Sequence, residues 1–171
     1  MIKLFTNLKP FILTIITVLV FIAGQSIAEL ALPTLMSDIV NNGMMQGDQG
    51  YILTYGGYML AVALASTASS IIGSFFSSRV AMGFGRNLRN MVFTRVENYS
   101  LHEFDQIGTA SLITRTTNDI VQIQTVLIMM LRFMVSAPVM CIGGIFMAVS
   151  KDKGLTLILV VVIPIMVAFI A

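Results

Sequence analysis

Few side chains in this sequence are able to bind a metal ion or to act directly on a substrate. His102 and Cys141 are the one histidine and the one cysteine among 171 residues, and they lie far apart along the chain. A zinc site needs several such ligands together, and an internal disulfide needs two cysteines. There is also no Ser/His/Asp grouping and no phosphate-binding Gly-x-x-x-x-Gly-Lys-Ser/Thr segment. The sequence therefore predicts no catalytic residues, no metal and no cofactor in this chain.

Three polar residues stand inside strongly apolar stretches. Gln25 and Glu29 are one helical turn apart in the first stretch, and Arg132 lies near the start of the third. An ionisable group in a membrane span is costly and usually faces protein or water. We interpret these residues as candidates for the lining or gate of a polar cavity. The alternative is that Glu29 reaches the lipid headgroups and that Arg132 extends along the helix to the interface.

The surrounding composition is that of a membrane protein. The chain is 57% hydrophobic and 11% charged, whereas about a quarter of the residues in a soluble domain are charged. Spanning a bilayer takes about 20 apolar helical residues. Four segments meet or approach that length: about 11–36, 55–78, 128–149 and 155–171. Because the last is still apolar where the sequence stops, we interpret the chain as a fragment of a longer protein with an all-α, polytopic transmembrane fold.

The first segment also has features of a secretory signal peptide. Lys3 and Lys9 precede an apolar run, and residues 26–28 form a small-x-small cleavage pattern. The apolar run continues past that pattern, however, and three further segments follow. We therefore favour an uncleaved span.

Basic residues are distributed unevenly between the two sides that these spans define. Two lysines precede the first span and five arginines lie in the long segment 79–125, whereas the loop 37–54 contains Asp38 and Asp48 and no basic residue. Loops rich in Lys and Arg stay in the cytoplasm. This pattern predicts a multi-pass protein of the plasma membrane with a cytoplasmic N-terminus and a cytoplasmic segment 79–125.

The long segment has helical periodicity on both sides of a break near Gly108. Leu88, Val92 and Val96 recur at helical spacing before it, and residues such as Leu112 and Ile120 do so after it. We therefore expect a helical hairpin that extends the second and third spans into the cytoplasm. Its tip, with Asp105 as a possible N-cap, would contact another protein.

The tip and its surroundings resemble the first intracellular loop of ABC exporters. The similarity lies in the stretch FDQIGTASLITRTTNDIVQIQ, where an aromatic–acid pair and a glycine are followed by Arg-x-x-Asn-Asp. The stretches LALPTLMSDIVNNGMMQGDQGYI and RNLRNMVFTRV resemble the outer end of the first span and the extension of the second span in bacterial multidrug-type members. The resemblance covers nearly the whole chain.

This resemblance implies spans one to four of a six-helix transmembrane domain, with a coupling helix at about 104–113. It also implies an ATPase parent that exports apolar or amphiphilic molecules, a second transmembrane half, and nucleotide-binding domains that hold ATP and Mg. The residues expected to couple to those domains are Phe104, Asp105, Gln106, Ile107, Gly108, Arg115, Asn118 and Asp119. Arg115 and Asp119 could instead pair with each other, four residues apart on one helix.

A different interpretation is a self-contained four-span scaffold whose hairpin docks some other cytoplasmic protein. Nucleic-acid binding is not expected, since no basic and aromatic surface is evident. The lipid bilayer is the partner common to both interpretations.

Overall fold

In a computed structural model, the structure describes residues 8–100, 102, 108–151, 162 and 169. A 3-10 turn, Lys9–Phe11, leads into helix α1, Ile12–Asp38, which continues as a π-helical segment, Ile39–Met44. Helix α2 is Gln49–Glu97. Helix α3, Thr109–Thr114, a π-helical turn, Arg115–Asp119, and helix α4, Ile120–Lys151, follow one another without a gap. The predicted all-α fold is confirmed for the described residues, which contain no strand.

Within the part of the chain that the structure describes, three helical runs are long and apolar enough to cross a membrane, judged by length and composition: Lys9–Met44, Gln49–Glu97 and Ala110–Ser150. The first three predicted segments, 11–36, 55–78 and 128–149, lie within these runs. The fourth predicted segment, 155–171, lies outside the described residues except for Val162 and Phe169. Helix α2 has 49 residues, and at a rise of 1.5 Å per residue it is about 73 Å long, well beyond the roughly 30 Å of a hydrocarbon core.

The connection between α1 and α2 is much shorter than the loop 37–54 expected from the sequence. The α1 run continues to Met44, and α2 already begins at Gln49. Gly47 takes a positive φ of 69° in the turn, which glycine tolerates because it lacks a Cβ atom. The Asp48 carboxylate accepts a hydrogen bond from the Tyr51 backbone N–H at 3.0 Å. Asp48 thus caps the start of α2, so the helix begins directly after the turn.

The chain divides into two compact units, one formed by residues 1–22 and 68–135 and the other by residues 23–67 and 136–171. The first unit contains a continuous apolar cluster. Its buried members come from α1, α2 and the run that ends in α4: Val18, Ile22, Val80, Ala81, Phe84, Leu88, Ile120, Leu127 and Leu131. Gly73 of α2 contributes to the same packing, because a Cβ atom there would lie 3.5 Å from Ile22 Cγ1.

In the second unit, α1 and α4 are in direct contact. Gly143 lies so close to Leu30 that a Cβ atom at Gly143 would overlap the leucine side chain. One turn further along each helix, the Thr34 hydroxyl lies 3.7 Å from Met147 Sδ. Small residues at such contacts let helix backbones approach closely, which is how helices pack in lipid.

Large apolar side chains remain exposed over much of both units. Leu13 is 78% exposed, Leu53 77% and Phe146 73%. Soluble monomers rarely leave extended apolar patches on their surface. This surface is therefore suited to lipid or to further helices.

Candidate functional site

The candidate site is the pair of helical segments that flank the predicted tip, both of which belong to the first unit. We call residues 79–97 of α2 the first arm and residues 109–127 the second arm. Leu88 of the first arm and Ile120 of the second are 5% and 3% exposed and belong to the same apolar cluster. Of the positions that recur at helical spacing in the sequence, Leu88, Leu112 and Ile120 are buried, and Val92 and Val96 are half-buried.

One polar side chain is buried between the arms. Gln124 is 7% exposed, and its Nε2 donates a hydrogen bond to the backbone carbonyl of Ala81 at 3.1 Å. Its Oε1 accepts a weaker hydrogen bond from Arg89 Nη2 at 3.4 Å. Both polar ends of this amide therefore have a partner on the first arm, as buried polar groups require.

Gly85 makes room for that amide. Gly85 is buried, and a Cβ atom added to it would overlap the Gln124 side chain. Ala81, Gly85 and Arg89 are spaced four residues apart on one face of α2, so the amide lies over the glycine between its two hydrogen-bonding partners. The sequence patterns indicated no role for either Gln124 or Gly85. The one available signal was the spacing of Gln124, which lies four residues after Ile120 and three before Leu127 and so shares their helix face.

The predicted tip is described only in part. Phe104, Asp105, Gln106 and Ile107 lie outside the described residues, and with them the proposed Asp105 cap. Gly108 is half-buried and takes φ 77° and ψ 141°, immediately before α3 begins. The Leu112 N–H donates to the Gly108 carbonyl at 3.2 Å, which closes the first turn. Gly108 therefore immediately precedes the second arm.

The segment after α3 is distorted. Arg115–Asp119 form a π-helical turn, and the hydroxyls of Thr114, Thr116 and Thr117 each donate to the carbonyl four residues earlier, at 2.6–3.0 Å. Such bonds compete with the regular helix ladder and often bend helices. Single π-helical turns inside α-helices are frequent at functional sites.

Arg115, Asn118 and Asp119 are all exposed within this turn. Among the described residues, no ion pair joins Arg115 to Asp119, so the alternative in which these two side chains pair is not realised here. Their charged groups remain accessible to another protein.

The candidate cavity residues separate into two groups. Gln25 Nε2 donates to Glu29 Oε1 at 2.8 Å, and both side chains are half-buried in the second unit. Arg132 is exposed and belongs to the first unit. Within the described residues, no group of three or more His, Cys, Asp or Glu side chains is placed to hold a metal ion.

Aromatic side chains mark the start of α2. The Tyr51 and Tyr55 rings stack with their centroids 4.1 Å apart, and the Tyr58 ring meets Tyr55 edge-on at 5.9 Å. Further along α2, the Arg79 guanidinium lies 5.3 Å from the centre of the Phe75 ring. Tyrosines are enriched where membrane proteins meet the headgroup layer.

A family model for the ABC transporter transmembrane region matches residues 15–171. The chain is 32% identical over 168 residues to an uncharacterized ABC transporter ATP-binding protein of Bacillus subtilis, covering 98% of this chain and 29% of that protein. A protein of the same description from Mycobacterium tuberculosis is 34% identical over 160 residues, covering 94% of this chain and 28% of its own length. A putative export ATP-binding/permease protein of Rickettsia felis is 28% identical over 167 residues, covering 96% and 28%. The chain thus spans less than a third of the length of these relatives.

Proposed function

Because the chain belongs to the ABC transporter transmembrane region family, we propose that it forms part of the membrane pathway of an ATP-driven exporter. The match over residues 15–171 carries this proposal. Further support comes from relatives whose names describe export ATP-binding/permease proteins. The four-span scaffold has no comparable support.

In the proposed mechanism, nucleotide-binding domains elsewhere in the protein or in a partner chain bind ATP and Mg. The free energy of ATP binding and hydrolysis moves those domains, and the tip of the two arms transmits that movement to α2 and α4. The packed apolar cluster supports this role, because Leu88 and Ile120 belong to one buried core. The exposed Arg115, Asn118 and Asp119 would contribute to the docking surface, together with Phe104–Gly108.

The proposed orientation puts the N-terminus and both arms in the cytoplasm of a plasma-membrane protein. Tyr58 and Arg79 are 21 residues apart in α2 (79 − 58), which is about 31 Å of helix. That length matches the roughly 30 Å hydrocarbon core, with tyrosines at one interface and an arginine at the other. A second transmembrane half would complete the pathway and cover apolar faces that α1, α2 and α4 leave exposed.

The orientation and the docking surface are tested together by a cysteine at the tip. Gln106→Cys in the full-length transporter, with Cys141→Ser as background, is expected to form a crosslink to a cysteine in the nucleotide-binding domain. It should react with a membrane-impermeant maleimide in inside-out vesicles and not in intact cells. Asn42→Cys, in the short α1–α2 turn region, is the matched control and should show the opposite pattern. Labelling of Gln106→Cys from outside intact cells would contradict the topology.

We propose further that the exported molecules are apolar or amphiphilic and that Glu29, paired with Gln25, lies on their path. Glu29→Gln keeps a hydrogen-bond acceptor for the Gln25 amide and removes the charge. With the lipophilic ion tetraphenylphosphonium as the probe, we expect the concentration for half-maximal stimulation of ATP hydrolysis to rise about tenfold, the effect of losing roughly 1.4 kcal/mol of attraction. Glu97→Gln, at an exposed position at the end of α2, should leave that concentration unchanged. Equal concentrations for Glu29→Gln and the unsubstituted protein would contradict the role given to Glu29.

A further inference from the structure

We infer that Gln124 is a positioning residue that fixes the register of the two arms, so that they move as one body when the tip is displaced. This inference rests on the proposed export function. Its basis is the set of contacts that Gln124 makes with Ala81, Gly85 and Arg89, which we call the Gln124 clamp.

The clamp connects the arms through directional contacts. Gln124 Nε2 donates a hydrogen bond to the Ala81 carbonyl of α2 at 3.1 Å. Gln124 Oε1 accepts a hydrogen bond at 3.4 Å from Arg89 Nη2, two turns further along the same face of α2. Gln124 Nε2 also lies 3.8 Å from Met82 Sδ. Hydrogen bonds weaken steeply when distance or angle changes. Sliding of one arm along the other would therefore break both bonds at once.

Gly85 makes this arrangement specific to one register. The Gln124 amide occupies the space that a Cβ atom at position 85 would take. A slip of one helical turn would place Ala81 or Arg89 opposite the amide, and both carry a Cβ atom. The slipped state would combine steric overlap with a buried amide that has lost its partners, which is costly.

A leucine at position 124 could be buried among the apolar neighbours just as Gln124 is, and it would avoid the cost of removing an amide from water. Apolar contact is non-directional, however, and depends mainly on the area removed from water. Buried polar residues are known to fix register in helical assemblies at some cost in stability. We therefore expect Gln124 to fix the position of one arm along the other rather than to raise the free energy of unfolding.

The first test measures whether the arms move relative to each other. In the full-length transporter with Cys141→Ser, Phe93→Cys and Val126→Cys carry one nitroxide label on each arm, at side chains that are 58% and 55% exposed, so the Gln124 clamp stays intact. A second protein carries the same labels together with Gln124→Leu. Pulsed electron paramagnetic resonance gives the distribution of distances between the labels without nucleotide and after trapping with ATP, Mg and vanadate.

With Gln124 present, we expect the same narrow distance distribution in both states, because the clamp holds the arms in register. With Gln124→Leu, we expect a broader distribution or one that differs between the two states. A distance that changes between the states with Gln124 present, or identical distributions with and without Gln124→Leu, would overturn the inference. This test needs no transported substrate, so it remains decisive even if the proposed export function is wrong.

The second test separates positioning from stability. Gln124→Leu should leave the yield of folded protein and the basal rate of ATP hydrolysis unchanged. Uptake of tetraphenylphosphonium per ATP hydrolysed in inside-out vesicles should fall about fivefold, the lower end of typical coupling between two sites. Gln122→Leu, the same change at an exposed position of the second arm, should behave like the unsubstituted protein. Unchanged uptake per ATP in Gln124→Leu, or an equal loss of yield, hydrolysis and uptake, would overturn the positioning role. If the unsubstituted protein takes up no tetraphenylphosphonium, the proposed substrate class fails and the distances between the labels decide the inference.

Discussion

Val80→Asp is expected to prevent the folded protein from accumulating. Val80 has no exposed surface and belongs to the apolar cluster that also contains Val18 and Phe84. An ionised carboxylate in that position would be buried without a cation, which costs several kcal/mol. A loss of that size is a large fraction of the roughly 5–15 kcal/mol that holds a folded domain together. Size-exclusion chromatography in mild detergent should show aggregates or no protein where the unsubstituted transporter gives a single peak.

The matched control is Met82→Asp. Met82 lies two residues further along α2, and its side chain is 66% exposed. Arg79 and Arg86 flank it on the same helix, so a carboxylate there has cations nearby and remains solvated in the proposed orientation. Met82→Asp should therefore give the same elution profile as the unsubstituted protein. A normal profile for Val80→Asp would show that this cluster is not the core of the first unit.

Gly143→Val is the second substitution for which we expect a large effect. A Cβ atom at this position would overlap the Leu30 side chain in the second unit, and valine adds two methyl groups beyond it. Overpacking of this kind typically costs about 1–3 kcal/mol. The thermal unfolding temperature of the full-length protein in detergent should fall accordingly.

The neighbouring glycine provides the control. Gly144 has open space around the position of its missing Cβ atom, so Gly144→Val should lower the unfolding temperature much less. Leu30→Ala combined with Gly143→Val removes the overlapping side chain and should recover part of the loss, as expected for residues in direct contact. Equal losses in Gly143→Val with and without Leu30→Ala would show that the Leu30 contact does not cause the effect.

Features that depend on sequence patterns along a single helix were predictable. The scarcity of charged residues and the lengths of the apolar stretches indicated an all-α membrane protein, which is confirmed for the described residues. The resemblance in the Phe104–Gln124 stretch indicated the ABC transporter family, and the match over residues 15–171 confirms it. The roles of Phe104–Gly108, Arg115, Asn118, Asp119 and Arg132 stay predictions.

The segment 37–54 was expected to connect the first two spans because it separates two apolar stretches. In the structure, only residues 45–48 of this segment are not helical. Residues 39–44 continue the α1 run as a π-helical segment, and Gly43 is buried against Ile52 of α2. The end of an apolar stretch thus does not mark the end of a helix, because packing against a neighbouring helix also stabilises helical turns.

The sequence by itself determined that this chain is helical and suited to a membrane, because apolar content and helical periodicity are properties of each segment alone. Only the tertiary structure decided that Gln124 is buried while Gln122 is exposed, and that Gly85 and Gly143 are contact positions while Gly144 is not. Those distinctions depend on which residue of another helix lies opposite. The opposing residues are 43 positions away for the Gln124–Ala81 bond and 113 for the Leu30–Gly143 contact (143 − 30). No pattern within a single helix records how closely such distant partners approach.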